Sequence, residues 1–465
     1  MKTIRKYGQA FLSGTAFCML FFASALPCAA QDAADPDSDA KPVFTVGGKI
    51  ETLHGFRWNG DKDNVEYGAS RSISHVKGEV SAGSSYAVIS AAAEYNYRNP
   101  ARTGFRLNEA YYRYSGEIWD ISVGRQLIAW GQADGFKLTD VLSARDTSEF
   151  IAFSGEDARL ASDSIRVRFF HNLFTFEAVA VPFFTPNKLP RFGFENGAKD
   201  GLYYIDTPDS FDTKTALGLI PITYTKTEST KPKMFTDTEA AARFSFFLPG
   251  IDFSVSGFYG WDKTPRFVKS GIVKLSGLTP TEVQLSINQE YYRIGMAGID
   301  AAIPAGDVTI RLETAWVGGR YFEPKNSNPV LNGAQLTFDP AVRKHQLLAL
   351  AGIDWIKDSW TLSAQYFEDL ILDHKDDIER PMHKGFVSLN ISKTFLRDTL
   401  KLSASGVVDV NYGSTSSTCS AAYALTDNIR FSLGGDVYTK GYEGKGDFAA
   451  MHKISALWLK GTFTW

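Results

Sequence analysis

The sequence predicts an all-β fold, a transmembrane antiparallel β-barrel of about 18 strands within a range of roughly 16 to 20. Its last segment, Ile454 to Trp465, alternates apolar with mostly polar side chains, as expected of a strand between lipid and a wet interior. Aromatic residues make up 14% of the chain and glycine occurs 40 times, which suits interface girdles and tight turns. Beyond the amino terminus every apolar run is interrupted within a few residues, so strands are expected to cross the membrane.

The amino terminus has the pattern of an export signal. Three basic residues precede an apolar stretch, Phe11 to Leu26, that is shorter than the roughly 20 residues of a membrane-spanning helix. Small residues then occupy the positions that a signal peptidase reads, which predicts a signal peptide over residues 1–30. A short polar periplasmic lead, residues 31–42, and a single barrel domain, residues 43–465, are expected to follow.

Removal of residues 1–30 changes the charge and the cysteine content. The segment holds three of the 49 basic residues and none of the 52 acidic ones, so the mature net charge is −6. This mildly acidic balance gives no reason to expect nucleic-acid binding. Only Cys419 remains of the three cysteines, which excludes an internal disulfide. Acylation of Cys28 in a lipoprotein is the alternative to cleavage, although Pro27 stands where a small residue is expected.

Compact turns alternate with longer connections along the rest of the chain. Each turn carries Gly, Pro, Asn, Asp or Ser, the residues that accept turn geometry. We expect short turns on the periplasmic side and long loops outside, as in bacterial single-chain barrels. The predicted turns lie at residues 82–85, 116–117, 171–172, 249–250, 304–307, 357–359, 396–399 and 427–428. The predicted long loops span residues 60–69, 99–104, 129–162, 182–238, 263–286, 320–340, 373–383 and 441–452.

Strand parity predicts which side chains face the lumen. Charges on the lipid side at mid-bilayer cost about 2–4 kcal/mol each, so the more apolar parity of each strand is assigned to lipid. In the strand over residues 291–299, Ile294 and Met296 are assigned to lipid and Arg293 to the lumen. Two interpretations remain open, a charged wall paired for solubility or a basic track that selects ions. The residues predicted to face the lumen are Arg166, Arg168, Arg243, Arg293, Arg311, Glu177 and Glu313.

The connection after the predicted fifth strand, residues 129–162, mixes acidic, basic and aromatic side chains. In position and composition it resembles the loop that folds into general porins and narrows them, so we expect an inward-folded third loop. Its carboxylates would then lie opposite the inward arginines and create a transverse field across a narrow passage. The alternative is a loop over the outer mouth, with the arginines paired to carboxylates of the wall. The predicted constriction residues are Arg125, Gln126, Trp130, Asp134, Lys137, Asp140, Arg145, Asp146 and Glu149.

Several motifs resemble a porin-like family of Gram-negative outer-membrane proteins whose function is poorly characterised. They are Gly124-Arg125-Gln126, Trp130-Gly131, Asp134-Gly135, Asp140 and Ser143-Ala144-Arg145-Asp146. Family members tend to carry proline where this chain has Ala144. The segments Pro182–Pro186 and Gly257–Trp261 look similar to the same family, and alginate-export-like barrels are more distant in appearance. The resemblance implies a multi-pass barrel in the outer membrane of a Gram-negative bacterium, reached by Sec-type export.

The carboxyl-terminal strand resembles the ends of outer-membrane barrels, which the barrel assembly machinery reads. Phe463 and Trp465 are the aromatic residues of that predicted assembly signal. The resemblance therefore adds the assembly machinery to the expected partners, beside outer-membrane lipids, lipopolysaccharide and small solutes. Nucleic acid is not expected as a partner, and the barrel is expected as a homotrimer or a monomer.

Enzymatic motifs are absent from the sequence. It contains no Gly-x-Ser-x-Gly, no His-Glu-x-x-His and no phosphate-binding loop, and its seven histidines are scattered. We therefore expect no enzyme, no cofactor and no metal site. The expected function is a porin-like channel for passive or substrate-selective passage of small polar or charged solutes through a charged lumen. The alternatives are a transporter of hydrophobic or polymeric cargo with a partner complex, and a surface-adhesion barrel that acts through its outer loops.

Overall fold

The computed structural model describes residues 41–465, with gaps at 60–63, 99, 133–134, 148–157, 190–209, 213–218, 225–228, 278, 326–329 and 333. The predicted signal peptide and most of the predicted lead lie outside the described residues. Among the described residues no helix is both long and apolar enough to cross a membrane. The helical segments found there are short 3-10 turns, Pro100–Arg102, Tyr442–Gly444 and Ala449–Ile454.

A closed antiparallel sheet of 18 strands confirms the predicted fold class. Each strand pairs with its neighbours in chain order, and the last pairs with the first. The strands are β1 (Val43–Asn59), β2 (Asn64–Ala82), β3 (Ser85–Asn96), β4 (Gly104–Ser115), β5 (Trp119–Gln126), β6 (Ser162–Phe170), β7 (Phe174–Phe183), β8 (Glu239–Leu248), β9 (Ile251–Trp261), β10 (Arg293–Ala305), β11 (Val308–Phe322), β12 (Val342–Lys357), β13 (Trp360–Leu372), β14 (His383–Phe395), β15 (Leu400–Asp409), β16 (Thr415–Ala424), β17 (Ile429–Thr439) and β18 (Ala456–Thr464).

The seam between β1 and β18 closes the barrel. Its register runs from Lys49 opposite Thr464 to Arg57 opposite Ala456. Beyond the register, Gly48 and Trp465 exchange two backbone hydrogen bonds, of 3.1 and 3.0 Å. Closure leaves the described barrel strands without a free edge, as a sheet in lipid requires, because unpaired backbone groups there find no water to bond.

The outer face of the barrel is apolar. In β18 the side chains of Leu457 and Leu459 are exposed while Trp458 is buried, which is the alternation expected for a strand between lipid and lumen. Cys419 lies on the outer face as well, on the same parity as the exposed Tyr423. Other exposed apolar side chains of the wall include Ile165, Phe169, Phe244, Val255, Ile299, Leu312, Trp316, Ile353, Leu389 and Leu433.

All eight predicted turns join successive strands, and the remaining connections lie at the opposite end of the barrel. Gly250 and Gly306 occupy their turns with φ of +85° and +64°, a left-handed conformation that favours glycine. The outer connection between β15 and β16, residues 410–414, was not among the predicted loops.

Several outer connections contain ordered strands of their own. A hairpin of Arg266–Ser276 and Thr279–Glu290 lies between β9 and β10, within a region predicted as a long loop. It belongs to a separate sheet of seven strands, whose other members are Ser210–Asp212, Leu219–Tyr224, Ser229–Thr230, Val330–Asn332 and Gln335–Thr337.

Candidate functional site

The third long connection, between β5 and β6, folds against the inner wall of the barrel. Its Trp130 donates a hydrogen bond from Nε1 to Oε1 of Glu177 in β7, at 2.7 Å. On the far wall, the Phe136 ring stacks on Phe367 of β13 with 4.7 Å between ring centroids. Contacts with β7 and with β13 require the loop to cross the interior, so the predicted inward-folded third loop is confirmed.

Glu313 of β11 is the main polar anchor of this loop. Its carboxylate accepts hydrogen bonds from the backbone N–H groups of Gln132 and Thr139 and from Oγ1 of Thr139, each at 2.8 Å. Gly131 passes so close that a Cβ there would lie 2.7 Å from Oε1 of Glu313, and its φ of +86° also favours glycine. A buried carboxylate on the wall thus holds two separate points of the loop backbone.

Apolar side chains fill the space between the loop and the wall on this side of the barrel. Ile128, Leu138 and Leu142 of the loop are fully buried. They pack against inward side chains of β7 to β14, which are Val179, Val181, Ala241, Phe258, Ile294, Met296, Ala315, Val317, Leu348, Leu350, Phe367 and Phe386. This half of the interior is therefore a dry core.

The charged residues of the loop bond mainly with one another. Asp140 is buried and pairs with Arg145 at 3.4 Å and with Arg159 at 3.0 Å. Lys137 donates from Nζ to the carbonyl of Ser143 at 2.8 Å. Burial, together with the nearby positive charge of Arg145, lowers the pKa of Lys137 to about 7. These side chains hold the loop in shape.

The predicted inward arginines of β6, β8 and β11 pair with carboxylates of the wall itself. The pairs are Arg166 with Glu177, Arg168 with Asp120, Arg243 with Asp300 and Arg311 with Asp354. Arg311 also donates to the carbonyl of Gln132 in the loop, at 3.0 Å. The arrangement corresponds to the paired wall and not to a row of arginines facing the carboxylates of the loop.

The predicted orientation of Arg293 is wrong. Ile294 and Met296 are buried in the dry core, so they face inward and Arg293 faces outward. Its guanidinium carbon lies 4.6 Å from the Trp261 ring and 5.2 Å from the ring of Tyr259, an exposed residue. The parity argument failed because the loop supplies an apolar environment inside the barrel, where a water-filled lumen was assumed.

A cavity of about 480 Å³, bordered by many charged side chains, lies beside the wall of β1 to β5. Eight Lys and Arg residues border it against four Asp and Glu residues. The basic residues are Lys49, Arg71, Arg102, Arg106, Arg125, Arg159, Lys188 and Lys460, and the acidic ones are Glu51, Glu94, Glu109 and Asp146. Several are paired, for example Lys49 with Glu51 at 2.8 Å and Lys188 with Asp146 at 3.1 Å. Arg125 and Arg159 have acidic partners outside this lining, Asp163 and Asp140, and the remaining six basic residues still outnumber the four acidic ones.

Comparison with known proteins gives likeness of shape alone. No protein-family model matches the sequence, and no curated protein matches it either. Acinetobacter baumannii OccAB4 is similar in structure with a TM-score of 0.49 and 10% identity, over 93% of this chain and 100% of that one. Pseudomonas aeruginosa OccK8 (OprE) is similar with a TM-score of 0.49 and 6% identity, over 91% of this chain and 98% of that one. Salmonella typhi OmpF, in complex with daunomycin, is similar with a TM-score of 0.40 and 9% identity, over 91% of this chain and 97% of that one. Scores at this level support no conclusion about activity.

The barrel itself decides the location of the protein. Closed antiparallel barrels with an even number of strands, an apolar outer belt and a charged interior are built for bacterial outer membranes. This chain is an outer-membrane β-barrel. The location that the sequence resemblance implied is thereby confirmed.

The outer-membrane barrel places the predicted constriction residues in different settings. Trp130, Lys137, Asp140 and Arg145 belong to the packed part of the loop. Arg125 and Asp146 border the cavity, whereas Gln126 is buried against Ser122 and Ser164 of the wall. Asp134 and Glu149 lie outside the described residues.

Sequence reasoning missed the cavity residues of β1 to β4 as a group. The alternation of β1 places Lys49 and Glu51 on one face, and this pattern could have indicated a charged patch facing the lumen. The basic residues Arg71, Arg102 and Arg106 come from separate segments, and only the curvature of the sheet brings them together. No group of His, Cys, Asp and Glu residues that could hold a metal ion occurs in the described part of the chain.

Proposed function

We propose that this outer-membrane barrel is a channel for small polar or charged solutes and that it prefers anions. The observation that carries the proposal is the cavity beside β1 to β5, in which eight basic residues stand against four acidic ones. A cleft of predominantly one sign between low-dielectric walls concentrates ions of the opposite sign. Solutes that cannot replace ordered water, such as apolar ones, are disfavoured in the same passage.

The inward loop supports this proposal by restricting the route. Its apolar side chains pack against the inner faces of β7 to β14, which leaves the charged side of the barrel for water and solute. We propose that the loop narrows the channel in this way, with Asp146, Arg159 and Lys188 on the loop side of the passage and Arg106 on the wall side.

Ion selectivity of the refolded full chain in planar bilayers tests the proposal. Reversal potentials in a salt gradient are expected to show anion preference for the wild type. Replacing Lys49, Arg102 and Arg106 together by Gln is expected to reduce the anion-to-cation permeability ratio several-fold, because three positive charges leave the passage. Lys357→Gln is the control, since Lys357 lies at a periplasmic turn, about half exposed and paired with Asp307.

An unchanged permeability ratio in the triple variant would contradict the proposed route. A barrel that inserts but gives no conductance steps would instead favour the surface-adhesion barrel. Binding to a surface should then depend on the outer loops. A transporter of hydrophobic cargo requires an apolar path, and the charged cavity counts against it. We propose no enzymatic activity.

A further inference from the structure

Two arginines lie side by side on the lipid-facing side of the barrel. Arg293 is the first residue of β10, and Arg343 is the second residue of β12. Both therefore sit at the outer ends of their strands, far from the periplasmic turns. Nη2 of Arg343 donates to the backbone carbonyl of Arg293 at 3.1 Å, which fixes the two residues next to each other.

The side chain of Arg343 has no acidic partner among the described residues. Its other hydrogen bond goes from Nε to the carbonyl of Gly319, at 3.1 Å, and its side chain is exposed. Arg293 is partly compensated, since Asp237 lies 3.6 Å away and the carbonyl of Thr238 accepts a hydrogen bond at 3.1 Å. The positive charge of Arg343 is thus held in place by neutral groups alone.

The wall next to these arginines is recessed at Gly295, where an added Cβ would meet nothing within 4 Å. Gly295 pairs with Gly318 of β11, which the Trp316 ring and His345 cover. A register shift at Gly319, whose φ is +88°, rotates the end of β11 so that Tyr321 faces outward beside Arg343. Trp316 stacks on His345 at 5.4 Å and forms the inner border of the recess.

The surroundings place this recess at the membrane interface. Tyr259, Trp261 and Tyr321 surround the arginines, and aromatic girdles of this kind mark the interfaces of membrane barrels. Further along the same face the exposed side chains are apolar, for example Ile299 and Leu312. Arginines in this position face the headgroups of the outer leaflet, not its acyl chains.

We propose that the recess binds the phosphate of an anionic outer-leaflet lipid, with Arg343 and Arg293 as its donors. Guanidinium groups present several N–H donors in a plane and suit phosphate oxygens better than other side chains do. A phosphate would neutralise Arg343, and the open space at Gly295 admits a headgroup close to the wall. The proposal is independent of the channel function, because neither arginine faces the lumen.

Native mass spectrometry of the refolded full chain in detergent tests the proposal. The probes are lipid A with both phosphates, dephosphorylated lipid A and inorganic phosphate. Wild type is expected to retain lipid A. The R293Q/R343Q variant is expected to bind it about tenfold more weakly, because at least one charge-assisted hydrogen bond to the phosphate is lost. Lys393→Gln is the matched control, since Lys393 also stacks on a Trp ring, at 4.5 Å from Trp360, but at the periplasmic end.

Three outcomes would overturn the proposal: equal lipid A binding by the double variant, equal binding of dephosphorylated lipid A, or displacement of lipid A by millimolar inorganic phosphate. Correct folding of the variant is checked by heat-modifiable migration. The milder Arg343→Lys variant, which keeps the charge, is expected to retain most of the binding. Unchanged single-channel conductance of R293Q/R343Q separates loss of the lipid site from damage to the channel.

Discussion

At the scale of single residues, Lys137 places an ionisable amine within the packed loop. Its Nζ has the carbonyl of Ser143 as hydrogen-bond acceptor, and burial lowers its pKa to about 7 from the ordinary 10.5. When the loop is released into water, the amine regains its ordinary pKa. Between the two values the released state binds more protons than the packed state, so packing of the loop becomes more favourable as the pH rises from about 7 towards about 10.5.

We therefore predict that loop release is favoured at low pH. Below about pH 7 Lys137 is charged in both states and the full desolvation cost opposes packing. Openings to a higher conductance level are expected to become rarer between about pH 6 and pH 9 in single-channel recordings. Lys137→Met, which fills the same space without a charge, is expected to abolish this dependence. A Met variant with the same pH dependence as wild type would assign it to another group.

The correction at Arg293 also belongs to this scale. Apolar residues such as Met296 can face inward because they pack against the inward loop, which is more than 150 residues away in the sequence. Strand periodicity gives two faces but not the medium that each face meets. Arg293 was therefore predicted to face the lumen, whereas in the structure it lies on the lipid side of the wall.

At the scale of elements, one carboxylate holds two separate points of the inward loop. Glu313 is buried and accepts three hydrogen bonds from Gln132 and Thr139. Removing an acceptor that buried donors share leaves them unsatisfied, at about 1–3 kcal/mol for each donor. The apolar packing of Leu138 and Leu142 remains, so the loop is expected to loosen without unfolding the barrel.

We predict that Glu313→Ala raises the mean conductance and the current noise, because the loop then leaves the wall part of the time. Glu313→Gln keeps an acceptor oxygen and is expected to show a smaller effect. Glu323→Gln is the control, since Glu323 is exposed and pairs with Lys269 outside the lumen. Identical traces for Glu313→Ala and wild type would mean that apolar packing alone holds the loop.

At the scale of the whole molecule, closure concentrates in the seam between β1 and β18. Gly48 is enclosed there: a Cβ at this position would lie 2.4 Å from the carbonyl oxygen of His75 and 2.4 Å from the Trp465 ring. Gly78, on β2, is a matched reference, because a Cβ there meets only Ile89 at an ordinary 3.6 Å. The same Gly→Ala change at the two positions therefore adds the same methyl group to a crowded site and to an open one.

We predict that Gly48→Ala destabilises the barrel by about 1–3 kcal/mol, the usual cost of forcing extra volume into a packed site. Gly78→Ala is expected to leave it unchanged within about 0.5 kcal/mol. Deleting Phe463 to Trp465, which removes the hydrogen bonds to Gly48, is expected to abolish assembly. The measurement is the temperature at which heat-modifiable migration is lost. Normal assembly of the deletion variant would disprove the role assigned to the seam.

The sequence by itself determined the barrel, its approximate number of strands, its turns and the alternation of β18, because these depend on local periodicity and on turn residues. It also indicated the third loop and several of its residues. Tertiary structure alone decided which half of the interior is dry, which carboxylate pairs with each inward arginine, and that Arg293 faces lipid. The physical reason is that a side chain's environment depends on what packs against it, and strands distant in sequence become neighbours only when the sheet closes.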